Sequence, residues 1–159
     1  MSNVFINHPY GAFCYRVAGI CIRDGQILLQ KSSNAMEYTL PGGLVEMGET
    51  GAVALARQLG EALGALVTVG DLKWVGETFY PWDLTPCHQL GFYYAVTLPK
   101  DVCTEPTTTS PVRKHGQAFD VNFHWVPLAD LPSLSVCPTD IPQLLNGWDN
   151  GVQHFICRK

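Results

Sequence analysis

The run from Gly43 to Gly64 constrains what this chain can fold into more than any other part of it. Pro41, Gly42 and Gly43 end any regular element ahead of it. From Glu49 to Leu63 the apolar residues Val53, Ala56, Leu59 and Leu63 recur at helical spacing, which predicts an amphipathic helix with that side turned to a core. Thr50 is placed to cap its first turn, because its hydroxyl can accept from a backbone N–H that has no partner inside the helix. Gly64 stands where the chain has to turn left-handed to leave the last turn. Gly60, inside the helix, costs it roughly 1 kcal/mol relative to Ala.

Strand patterns surround this helix. Residues 13–31 alternate apolar and polar and break at Asp24-Gly25, a dipeptide suited to a two-residue hairpin turn, so Gln26 to Gln30 is read as the returning strand. Tyr38-Thr39-Leu40 is a short extended piece. Leu66–Val69, Leu72–Phe79, Leu90–Leu98 and Val121–Val126 are rich in aromatic and β-branched residues and predict further strands. Lys100 to Gly116, with Thr107-Thr108-Thr109-Ser110-Pro111 inside it, reads as a mobile loop, and the sequence does not say whether it closes over a ligand. Thr139 to Asn146 reads as a second helix ended by Gly147. Strands on both sides of one helix, with another helix near the end, predict an α/β sandwich around a mixed sheet.

With 159 residues, 47% of them hydrophobic, the chain can bury one proper core, and a single domain over residues 1–159 is expected. The net charge of -4, with 10 Lys and Arg in all and no basic run longer than Arg113-Lys114, argues against a nucleic-acid polymer as partner, since tracking a phosphate backbone needs many clustered cations. A small anion stays open, because a local pocket needs only a metal, a few backbone N–H groups or one Arg. The cysteines at 14, 21, 87, 103, 137 and 157 form no C-x-x-C pair and are read as reduced packing residues. Neither a secretory leader nor a membrane span is recognisable, so the cytoplasm is the expected compartment.

Gly42-Gly43-Leu44-Val45-Glu46-Met47-Gly48-Glu49, seven intervening residues, and then Arg57-Gln58-Leu59-Gly60-Glu61-Ala62-Leu63-Gly64-Ala65 resembles the Nudix box, G-x5-E-x7-R-E-U-x-E-E-x-G-U with U apolar, at the same spacings. Gly43, Glu49, Arg57, Leu59, Glu61 and Gly64 match outright. Ala65 is a small apolar stand-in for the last position. At lower specificity the likeness covers roughly residues 13–156, through Arg16-Val17-Ala18, Val75 to Phe79, His88 to Tyr94 and Trp125 to Leu128.

This resemblance implies the Nudix-type α/β/α sandwich and a Mg²⁺-dependent (or Mn²⁺-dependent) pyrophosphohydrolase acting on a nucleoside diphosphate joined to another group. Carried over residue by residue, it assigns catalysis to Glu61, Arg57 and Gln58. Metal roles go to Glu61 and more loosely to Glu49, Glu46 and Gly43, and substrate contacts to Arg16, Glu77, Tyr80 and Trp82. A homodimer is compatible with it. The logic is physical. Residues 58, 61 and 62 fall within an arc of roughly 100° on a helix, and three carboxylates there would form a hard oxygen cage. A cation in that cage would bridge a diphosphate and acidify an attacking water.

Two of those three acids are missing. Gln58 offers a carbonyl oxygen without charge and cannot take a proton from water, and Ala62 offers nothing. Gln89 stands where related chains often carry Glu, a third acid lost. Three readings therefore stay open: a hydrolase with an impaired or unusual metal site, a module that binds a nucleotide or nucleotide sugar without cleaving it, and a scaffold that has retired the pocket. Tyr80 and Trp82 could stack on a base as readily as pack, whereas packing is expected of Trp74. Arg113, Lys114 and His115 could reach a phosphate. His88 and His124 are expected to be structural.

Overall fold

Alternating side chains from Gly11 to Ile20 build the strand around which the chain is organised. A computed structural model describes residues 2–33, 35–82, 84–114 and 117–159, with 112–114 and 117–119 described by their backbone alone. Its elements are β1 (Phe5–His8), β2 (Gly11–Ile20), β3 (Ile22–Arg23), β4 (Gln26–Ser32), β5 (Tyr38–Thr39), β6 (Gly42–Leu44), α1 (Gly51–Leu63), β7 (Thr68–Trp82), β8 (Thr85–Thr97), β9 (Thr107–Lys114), β10 (Gln117–Pro127), a 3-10 turn (Leu128–Ser133), β11 (Val136–Cys137), α2 (Ile141–Asn146) and β12 (Gln153–Arg158). They form two mixed sheets. One has the order β1-β2-β8-β7-β12 with β6 added on β2, and the other β11-β5-β4-β10-β9 with β3 added on β4.

Hydrophobic clusters join the sheets to the helices. Ile20, Leu29, Trp74, Tyr93 and Val126 pack with Ile141 and Leu144 of α2. Val17, Leu28, Val96 and Phe123 pack with Ala54, Leu55 and Leu59 of α1. The α/β class expected from the sequence is what forms, with two mixed sheets where one was anticipated. No helix among the described residues is long and apolar enough to cross a membrane. All six cysteines are unpaired thiols.

Four local expectations are corrected. Asp24 and Gly25 do make the predicted turn, both left-handed at φ 52° and 75°, but it joins only the two-residue β3 to β4. The long β2 lies in the other sheet, parallel to β8, because the chain crosses between sheets at the buried Cys21. The element ahead of Pro41-Gly42-Gly43 does end, β5 stopping at Thr39, but the glycines do not stay irregular. Gly42 to Leu44 is itself a strand, antiparallel to β2. The stretch read as a loop contains β9, antiparallel to β10 along its whole length, as suits its run of β-branched threonines.

The fourth correction concerns α1. Thr50 caps it as predicted, accepting from the Val53 N–H at 3.3 Å, and Gly64 leaves it at φ 65°. Its buried side, however, carries Gly51, Ala54, Leu55 and Leu59, while Val53 is 57% exposed. Small residues decide this: a Cβ on Gly51 would lie 2.7 Å from the Tyr94 hydroxyl and 2.8 Å from that of Tyr15. The helix is seated on the residues that let it come closest, a side that keeps Leu59 of the expected stripe and turns Val53 outward.

Candidate functional site

A strand and a helix meet at the Gly43 to Gly64 run. β6 pairs with β2 through Ala18–Gly42, Val17–Gly43 and Arg16–Leu44. A side chain at Gly42 would penetrate the Val17 carbonyl oxygen, so only glycine allows this pairing. Beyond it Val45 is buried, and its N–H donates to the Tyr15 carbonyl at 3.0 Å.

Glu49 then folds back on the turn ahead of the helix. Its carboxylate accepts from the Glu46 N–H at 3.0 Å and takes two parallel bonds from Arg57, Nε to Oε2 and Nη2 to Oε1, each 2.8 Å. Such a fork holds orientation as well as charge. The Arg57 guanidinium keeps the Glu49 carboxyl below its ordinary range, helped by the Glu46 N–H. The same bonds raise Arg57. Glu61, one turn on, is 4.0 Å from Arg57 Nη1 with its side chain 70% exposed, where a single pair adds little.

Gln58 points the other way, into the angle between α1 and β6. Its Nε2 donates a short hydrogen bond to the Leu44 carbonyl. Its Oε1 is buried without a hydrogen-bond partner. Gly43 makes room for this amide, since a Cβ there would sit 2.9 Å from Oε1 and 3.0 Å from Nε2. Ala62 packs against the α1 cluster. The side of the helix that carries residues 58 and 62 therefore lies against β6 and the core, and Glu61 looks away from it.

The residues present do not fit a divalent cation of the hard oxygen-loving kind. A cage of that sort needs several carboxylates converging on one point. Here Glu49 is held by Arg57, Glu61 is turned to solvent, Glu46 is half-buried and meets the Glu49 carboxylate through its backbone N–H, and Gln58 and Ala62 bring no charge. Among the described residues no three His, Cys, Asp or Glu side chains gather as ligands.

The residues assigned to substrate divide between the two faces of the β2-β8-β7 sheet. Arg16 donates from Nη2 to the Leu40 carbonyl at 2.7 Å. On the same face Tyr80 and Cys14 approach Gln89 Oε1 at 3.5 and 3.9 Å, and Cys87 lies 4.0 Å from Cys14, sulfur to sulfur. Burial pushes the Cys14 thiol up to about 12, so it stays protonated. Trp82 sets its edge to Phe5 at 5.0 Å, and both pack with Leu44 on this cluster. Glu77 lies on the opposite face, 2.8 Å from His154.

The structure thus brings Arg16, Tyr80 and Trp82 to one side of the sheet and separates Glu77 from them. Trp74 is fully buried, as expected. His88 is flanked by the rings of Phe79 and Phe13 at 4.5 and 5.5 Å, and His124 pairs with Thr107 at 3.1 Å. The proposed phosphate contacts at Arg113, Lys114 and His115 lie outside the described side chains. Two features escaped the sequence reading. The Leu44 carbonyl as partner of Gln58 leaves no trace in residue types. The Cys14–Cys87–Gln89 group could have been found only from strand register.

The NUDIX domain family matches residues 15–144. No curated protein is similar to the chain in sequence. Among solved structures, the fold is similar to that of a MutT Nudix hydrolase from Burkholderia pseudomallei, at 22% identity and a TM-score of 0.57 over 82% of this chain and 95% of that one. A UDP-X diphosphatase is similar at 13% identity and a TM-score of 0.58, over 93% and 69%. An ADP-ribose pyrophosphatase from Streptococcus suis is similar at 11% identity and a TM-score of 0.56, over 89% and 98%.

Proposed function

We propose that this chain, which belongs to the Nudix family, recognises a nucleoside diphosphate derivative and has given up efficient metal-dependent cleavage of it. The observation that carries this is the fate of the carboxylates. Glu49 is bound to Arg57 by two 2.8 Å bonds, and positions 58 and 62 hold Gln and Ala. No positioned acid remains on the helix face to take a proton from water, and loss of a general base alone removes about 10² to 10⁴ in rate. The ligand class rests on family membership, an argument by analogy. The similar folds of a UDP-X diphosphatase and an ADP-ribose pyrophosphatase suggest nucleotide sugars and ADP-ribose as first compounds to try.

A second reading keeps slow hydrolysis. Glu61, 70% exposed, and the half-buried Glu46 are carboxylates that a substrate-borne cation could still recruit. One comparison separates the two. The natural protein and its Gln58→Glu/Ala62→Glu variant are incubated with Mg²⁺ or Mn²⁺ and a panel of nucleotides, nucleotide sugars and ADP-ribose, with products quantified and melting temperatures recorded. Recognition without cleavage predicts a ligand that raises the melting temperature of the natural protein, with turnover only in the variant. Equal turnover in both would overturn it and leave the slow hydrolase.

A further inference from the structure

We infer that Gln58 does in this chain the mechanical work that a cation does in a carboxylate-lined box: it ties the glycine strand to the helix, and so makes the site's architecture independent of metal. This deepens the reading above and rests on it for the absence of a metal cage, but it concerns folding and not ligands.

The Leu44 carbonyl ends β6 beside α1, in a place where an unpaired backbone oxygen would be costly. Gln58 Nε2 supplies the donor. A glutamate at 58 would present two acceptor oxygens to that carbonyl, and acceptor against acceptor repels unless a cation or a proton lies between them. The amide removes the need for either. Its fit is specific, because the space it fills is the one that Gly43 leaves by having no side chain. Charge balance points the same way. Glu49 is already neutralised by Arg57, and Ala62 adds no charge. The lock itself, an amide on a carbonyl, is neutral. Its other amide atom, Oε1, has no partner, so the donor nitrogen alone does the tying.

The test is thermal unfolding of the ligand-free protein, wild type, Gln58→Glu and Gln58→Ala, each in EDTA, in millimolar Mg²⁺ and in millimolar Mn²⁺. Wild type should melt at the same temperature in all three. Gln58→Glu should melt lower in EDTA, by about 5 °C, and recover in metal, since an ion bound only by the folded state raises its stability. Gln58→Ala should be lowered equally in all three conditions. Stabilisation of wild type by Mg²⁺ or Mn²⁺ alone would overturn the inference, and so would a Gln58→Glu protein as stable as wild type in EDTA. If Gln58→Glu does not fold without metal, recovery of folded protein on adding Mg²⁺ or Mn²⁺ supports the lock, and failure to recover in either refutes it. Turnover by a wild type whose melting ignores metal would sink the functional reading and leave the lock standing.

Discussion

On one side α1 is fixed by a cap, a close backbone approach and an ion pair, whereas the side that bears residues 58 and 62 carries no charge. Thr50 caps the helix, Gly51 seats it on Tyr15 and Tyr94, and Arg57 clamps Glu49. A few ångströms away an amide and a methyl group occupy the places of two acids. The difference teaches that the helix is held in place without any charge at positions 58 and 62. The scaffold depends on close backbone approach, a cap and one ion pair.

If the scaffold end is what matters for folding, the largest effect belongs to Gly42→Ala. The new methyl would overlap the Val17 carbonyl of β2, and only backbone displacement could relieve it. Loss of more than about 4 kcal/mol, or no soluble protein, is expected, read by urea unfolding. Leu55→Ala comes next. Leu55 is fully buried, and its truncation should cost about 3 kcal/mol in the same assay.

Arg57→Ala should cost less, about 1 to 2 kcal/mol, because the pair is strong but borders solvent. Its signature is in the pH dependence. Glu49's folded carboxyl lies below its ordinary value of 4.5, so the pair's contribution is complete above that pH and is lost as pH falls through the folded value. The stability gap between wild type and Arg57→Ala should therefore be widest near neutrality and close in acid. A gap that does not change with pH would mean that Arg57 acts through packing alone. Smallest of all, Val53→Ser should stay within about 0.5 kcal/mol of wild type, its side chain being 57% exposed. A Val53 penalty rivalling that of Leu55 would break the observed seating of the helix.

Motif spacing made the helix, its caps and the family legible from residue types alone. Those features are local: Thr50 and Gly64 act within one turn of themselves. What stayed hidden was set by long-range backbone geometry. Apolar periodicity favoured Val53, Ala56, Leu59 and Leu63, of which Leu59 is buried and Leu63 packs against the core, but the turn that leaves Val53 exposed was set by Gly51 and Ala54, whose value lies in what they allow to approach. Gly42 and Gly43 read as punctuation because glycines usually are, and only the pairing with Val17 and Ala18 shows them as a strand. At the site, the missing acids at 58 and 62 were plain in the sequence. The new partner of Gln58 was not, since a carbonyl belongs to every residue and marks none.

The account stands or falls on whether the Gly43 to Gly64 region takes up a divalent ion. Titrating the protein into Mn²⁺ and following the free-ion signal by electron paramagnetic resonance reads this without any substrate. The expected result is a free Mn²⁺ signal that stays undiminished up to excess protein, with uptake appearing in the Gln58→Glu/Ala62→Glu variant. Loss of one equivalent of the signal to the natural protein, abolished by Glu61→Ala or Glu49→Ala, would contradict it.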